Sequence, residues 1–143
     1  EKTIQAIVYY DLEALTRYFD VITADAARGN PGWARAAGDA AVTGELAALL
    51  RFALRTDQPL TVLRRVAPAC SRFFDLGLWE VDGAANVVSV RITDFEPASL
   101  PLRHWLVGVL EGTLREAEIR AHVAIARGDA AFAPQLLLDV MLR

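Results

Sequence analysis

Residues 102–142, LRHWLVGVLEGTLREAEIRAHVAIARGDAAFAPQLLLDVML, carry two hydrophobic periods in succession, and the switch between them decides the fold. Leu102, Trp105, Leu106, Val109, Leu110 and Leu114 recur at helical spacing, with Arg103, Glu111 and Arg115 on other sides. That spacing predicts one amphipathic helix of about four turns. The period then becomes two: Ile119, Ala121, Val123 and Ile125 alternate with Glu118, Arg120, His122 and Ala124. Arg127-Gly128-Asp129 interrupts the alternation, which resumes at Phe132, Pro134, Leu136, Leu138, Val140 and Leu142. Two half-buried antiparallel strands joined by a Gly-containing turn follow from this pattern. Leu136-Leu137-Leu138 places an apolar side chain on both faces of the last strand, as expected of a strand covered on both sides or lying at a subunit contact.

Upstream, the apolar run at residues 4–10 fits a strand or a helix entry equally well. Asp11 can cap a helix whose buried stripe is Leu12, Leu15, Phe19, Ile22 and Ala26, and Gly29-Asn30-Pro31-Gly32 stops it. Trp33, Ala37 and Ala41 mark a small-residue helix suited to close packing, and Leu46, Leu49, Leu50 and Ala53 point inward after it. Pro59 opens another helix with Leu60, Leu63, Val66, Ala67, Cys70 and Phe74 on its stripe, ending at Gly77. Leu78–Val81 reads as a strand, residues 82–86 as a hairpin loop and Val87–Phe95 as the return strand. Helices, hairpin, helix, hairpin in that order give an α+β fold: N-terminal helices and a long crossing helix packed on a four-stranded antiparallel sheet made of two hairpins.

The 143 residues form a single domain by length, with no linker-like stretch to divide them. A hydrophobic fraction of 54% with mean hydropathy +0.27 is high for a chain of this size, so extra apolar surface is expected in a ligand cavity or a subunit interface. There is no apolar run long enough to span a membrane and no signal-like start, which makes a cytoplasmic location the default expectation. A net charge of −3 and scattered basic residues argue against a nucleic-acid partner. One cysteine excludes an internal disulfide.

Tyr9-Tyr10-Asp11-Leu12, Leu63-Arg64-Arg65-Val66-Ala67-Pro68, Phe73-Phe74-Asp75-Leu76-Gly77, Asp94-Phe95, Gly108-Val109-Leu110-Glu111-Gly112 and Ala126-Arg127-Gly128-Asp129 follow one another in an order with a family likeness. The chain resembles the bacterial 4-vinyl-reductase-type domains and their myxobacterial relatives, in a superfamily with heme nitric-oxide-binding sensors and Golgi-tethering TRAPP subunits. The resemblance covers residues 9–142 and implies a sensory or assembly module, often dimeric, whose sheet and helices enclose an apolar pocket. It implies binding rather than catalysis. Many such domains place cysteines around the last hairpin and hold zinc there; this chain has Ala124, Ala126, Ala131 and Phe132, with only His122 nearby, so no metal is expected. The axial histidine and propionate-binding set of the heme sensors are also missing, so no cofactor is expected.

Catalytic chemistry has little to work with. The two histidines, His104 and His122, fall in separate elements, and no nucleophile elbow or phosphate loop is present. Arg127-Gly128-Asp129 is expected to be a hairpin turn. The pairs Asp94/Glu96 and Glu116/Glu118 are expected on solvated surfaces. Three readings result. The first is a non-catalytic interaction or signalling module, a homodimer or a binder of another protein, with Gly108, Gly112 and Leu137 as interface candidates. The second is a receptor for a small aromatic or acyl ligand held by Phe19, Phe52, Phe74, Trp79, His104 and Trp105. The third is a small enzyme using His104 with an acidic partner.

Overall fold

The computed structural model describes residues 11–25, 28–44, 46–51, 53–55, 58–71, 76–84 and 86–143. Helices α1 (Leu12–Asp25), α2 (Trp33–Thr43), the short α3 (Ala47–Leu50), a 3-10 turn (Ala53–Arg55) and α4 (Pro59–Ser71) precede the hairpin β1 (Leu78–Ala84) and β2 (Val87–Thr93). Helix α5 (Leu100–Glu116) leads to the second hairpin, β3 (Ala121–Arg127) and β4 (Leu136–Leu142). The residue 4–10 run and the candidates Phe52 and Phe74 lie outside the described residues. No helix among the described residues is long and apolar enough to cross a membrane.

The fold class is α+β, with an open antiparallel sheet in the order β1-β2-β4-β3. Helix α5 carries the chain from β2 to β3 past β4, so the two hairpins join through β2 and β4, where Val88 pairs with Val140 and Val90 with Leu138. One sheet face holds Val88, Val90, Ile92, Leu136, Leu138, Val140 and Val123, all buried under the helices. Alternation sends Glu80, Asp82, Ser89, Arg91, Leu137, Asp139, Met141, His122 and Ala124 to the other face, which no described helix covers.

Local chemistry explains the starts of α1 and α5. Ala14 N–H donates to Asp11 Oδ1 at 2.7 Å, the expected N-terminal cap of α1. Ser99 caps α5 by accepting from Leu102 N–H, and Pro101 sits where a missing N–H costs nothing, so α5 begins before the periodic pattern does. The β1–β2 connection is tighter than the expected five-residue loop, because Asp82↔Ser89 and Gly83↔Val88 are already ladder pairs. The β3–β4 connection is longer. Phe132 and Pro134 lie before β4 rather than in it, and Phe132 adopts φ 65° with its side chain exposed. A bulge at Ala126 brings Arg127 level with Leu137.

The buried face of α2 is Ala34, Gly38 and Val42, one position round from the expected Trp33, Ala37 and Ala41, which are only half-buried. The rotation has a steric cause: α2 and α5 cross at glycines. A Cβ on Gly38 would overlap the Trp105 carbonyl oxygen, and one on Gly108 would overlap that of Arg35. The two backbones are in direct contact, as the small-residue pattern of this helix suggested.

Candidate functional site

The six ligand candidates do not converge. Phe19 and Trp105 are buried together, ring centroids 5.5 Å apart, and Phe19 also stacks on Trp33 at 5.7 Å. Trp33 Nε1–H donates to Thr23 Oγ1 at 2.7 Å, so this trio is a filled aromatic core between α1, α2 and α5. Trp79 lies elsewhere, half-buried at the start of β1, its Nε1–H donating to the Leu76 carbonyl at 2.7 Å. It lines an open cleft of about 450 Å³ between α4 and β1, with Ala67, Pro68, Leu76 and Val81 as apolar walls and Arg64 at the side.

His104 stands at a third place, on the first turns of α5. A carboxylate only accepts hydrogen bonds, so Nε2–H of His104 donates to Asp129 Oδ1, at 2.8 Å. The bond joins α5 to the β3–β4 loop, and Asp129, the last residue of the expected turn, is its partner. No Ser, Thr or Cys hydroxyl or thiol is bonded to this histidine among the described residues. The contact the pair makes is between a helix and a loop. Among the described residues no three His, Cys, Asp or Glu side chains gather closely enough to hold a metal ion.

Arg103 corrects the sequence reading most strongly, since its expected place off the buried stripe of the helix is wrong. It is fully buried, and its guanidinium uses all five N–H groups on main-chain carbonyls. Nε donates to Ala98, Nη1 to Gly128 and Gln135, and Nη2 to Phe95 and Ala133, at 2.7–3.2 Å. The charge also lies over the Phe95 ring, 5.1 Å from its centroid. Burial holds the Arg103 pKa below its ordinary value, and the negative charge of Glu96 works the other way. Periodicity could not find this residue, because an arginine in a helical pattern is assigned to solvent.

The interface candidates separate too. Gly108 and Gly112 are buried where α5 meets α2 of the same chain, Gly112 facing Asp39 and Val42, so they serve helix packing within the chain. Leu137 is on the open sheet face, half-buried between Arg91 and Arg127. Three of the large apolar side chains that remain exposed lie on that face as well: Leu78 at 63%, Val87 at 42% and Met141 at 39%. Val87 and Met141 are cross-strand partners and form one apolar patch.

Each edge strand of the sheet has an arginine on one of its carbonyls. On β1, Arg64 Nε and Nη2 donate to the Val81 carbonyl at 3.4 and 3.3 Å. On β3, Arg35 Nη2 donates to the Val123 carbonyl at 3.1 Å while Nε and Nη2 hold Glu111 in a bidentate pair at 2.7 and 2.8 Å. That pairing raises the Arg35 pKa. Its charge is therefore fixed at any ordinary pH. Arginines seated on mid-strand edge carbonyls oppose strand addition, and the flat outer face is the one that no described helix covers.

The chain matches no family model, no curated protein and no solved structure.

Proposed function

We propose that this chain is a non-catalytic protein-interaction module that forms a homodimer in a cytoplasmic setting, as its resemblance to 4-vinyl-reductase-type domains implies. One observation carries the reading. The outer sheet face presents Leu78, Val87 and Met141 to solvent with Leu137 half-buried beside them, while the inner face is covered by helices and each edge has an arginine on it. Val87 and Met141 form a small apolar patch at one end of this face and Leu78 stands at the other, exposed apolar surface that a protein contact would bury. Sedimentation equilibrium of the chain from about 1 µM to about 1 mM tests this. A reversible monomer–dimer equilibrium is the expected result, and a strictly monomeric species throughout overturns it.

A second reading, a receptor for a small aromatic or acyl ligand, draws on the cleft beside Trp79. Its volume falls within the usual range of small-molecule sites, about 300–1,000 Å³. Binding of an aromatic probe such as indole that is lost in Trp79→Ala would favour this reading, and absence of binding in the unaltered chain would remove it.

A further inference from the structure

We propose that the homodimer forms by face-to-face packing of two outer sheet faces about a two-fold axis that runs along the strands between β2 and β4. This inference rests on the homodimer reading and adds its surface and register.

The ladder registers align the outer side chains in rows. One row runs Glu80, Arg91, Leu137, Arg127 from the β1 edge to the β3 edge. The next runs Asp82, Ser89, Asp139, Ala124, and a third holds Val87, Met141 and His122. A two-fold axis along the strands keeps each row at its own level and exchanges the sheet's halves, laying β1 on β3 and β2 on β4 of the second copy. Glu80 then faces Arg127 of the partner subunit, at both ends of the row by symmetry. Ser89 faces Asp139 of the partner subunit, and Val87 faces Met141 of the partner subunit. Arg91 faces Leu137 of the partner subunit and keeps its ion pair with Glu80 of its own chain at 3.9 Å, Asp82 faces Ala124 of the partner subunit, and no like charges oppose each other.

The other in-plane axis, across the strands, fares differently. It would set each strand on its own copy and exchange levels, so that Glu80 meets Asp82 of the partner subunit twice. Repulsion between acids at both sites disfavours it. The sheet's charge pattern therefore selects one axis. That axis also sets the end of the sheet carrying the β3–β4 loop, with Phe132 exposed at 81%, against the end where Leu78 begins β1 of the partner subunit.

Size places the contact among the weaker classes. Four seven-residue strands at the usual sheet spacings cover about 450 Å² per copy, or about 900 Å² in total, below the roughly 1,200 Å² where stable interfaces begin. A contact of that size belongs with weak, transient interfaces, and a reversible dimer is expected.

The test is a charge-reversal cycle by sedimentation equilibrium: Glu80→Arg, Arg127→Glu and the double variant, with Met141→Asp beside them. Glu80 and Arg127 are exposed, and because Glu80 also pairs with Arg91 of its own chain at 3.9 Å, thermal unfolding of each variant is measured alongside to show that the fold is kept. Each single reversal is expected to weaken the dimer about tenfold or more, the double reversal to restore it, and Met141→Asp to abolish it. Singles that weaken without restoration in the double, or a dimer indifferent to all four variants, overturn this register while leaving homodimerisation standing. A chain that is monomeric at every concentration overturns the homodimer reading itself, and this inference with it.

Discussion

Arg103 Nη2 donates to the Ala133 carbonyl at 2.7 Å, tying the first turns of α5 to a loop 30 residues further along the chain. The same guanidinium reaches the β2–α5 connection through Phe95 and Ala98. One buried cation thus fixes both irregular segments at this end of the sheet, against the desolvation cost of its charge. Arg103→Met removes the donor and leaves five carbonyls without it; the expected loss is about 3–5 kcal/mol. Arg103→Lys keeps the charge but lacks the planar fork, and about 2 kcal/mol is expected. Urea unfolding measures both, and a loss under about 1 kcal/mol for the Met variant would contradict the assignment.

The crossing of α2 and α5 makes a sharper steric prediction. Gly108→Ala places a methyl group where the Arg35 carbonyl already stands, so the helices must separate, at about 3 kcal/mol or more. Gly29→Ala meets nothing within 4 Å and is strained only by φ 83°, for which about 1–2 kcal/mol is expected. Thermal unfolding of the two variants side by side would show whether the order holds.

His104 and Asp129 should behave as a structural pair. A double-mutant cycle of His104→Ala and Asp129→Ala is expected to give a coupling of about 0.5–1 kcal/mol, since Asp129 is largely exposed. Amide exchange in the 128–135 loop should quicken in either single variant. A coupling near zero would show that the bond contributes nothing in solution.

Blocking of the sheet edges can be tested apart from the flat face. Arg64→Ala removes an exposed side chain, and its stability should change by no more than about 0.5 kcal/mol. Its expected effect is on association: faster growth of light scattering on prolonged incubation at high concentration, because the Val81 carbonyl and its edge are freed. Arg35→Ala adds the loss of the bidentate Glu111 pair and should also cost about 1–2 kcal/mol. Variants that aggregate no faster than the unaltered chain would show that other features protect the edges.

The order of elements was legible in the sequence because both hydrophobic periods are strong. Alternation in β2 and β4 reports one buried face, which the structure buries; in β3 only Val123 is fully buried, and α5, expected to be amphipathic, is buried nearly all round, with Arg103, Val107, Gly108, Gly112 and Thr113 covered as well as the apolar stripe. Turn lengths were less legible. The five-residue loop expected between β1 and β2 shrank because Asp82 and Gly83 can pair in a ladder despite their turn-like character. The tight turn expected after β3 opened because the Arg103 hydrogen bonds and the His104 contact hold residues 128–135 as a loop.

The candidate site was mostly illegible, for a different reason. Phe19, Trp79, His104 and Trp105 share residue types suited to a pocket, but residue type does not say which elements meet. The sequence by itself determined the fold class, the helical and strand periods, the Asp11 cap and the closeness of a small-residue helix to its neighbour, all set by interactions a few residues apart. Only the tertiary structure decided that Arg103 is buried, that α2 turns Gly38 toward Gly108, and that Glu80 and Arg127 occupy opposite ends of one row. Those facts depend on carbonyls, backbones and strands brought together from distant parts of the chain, and local periodicity carries no record of them.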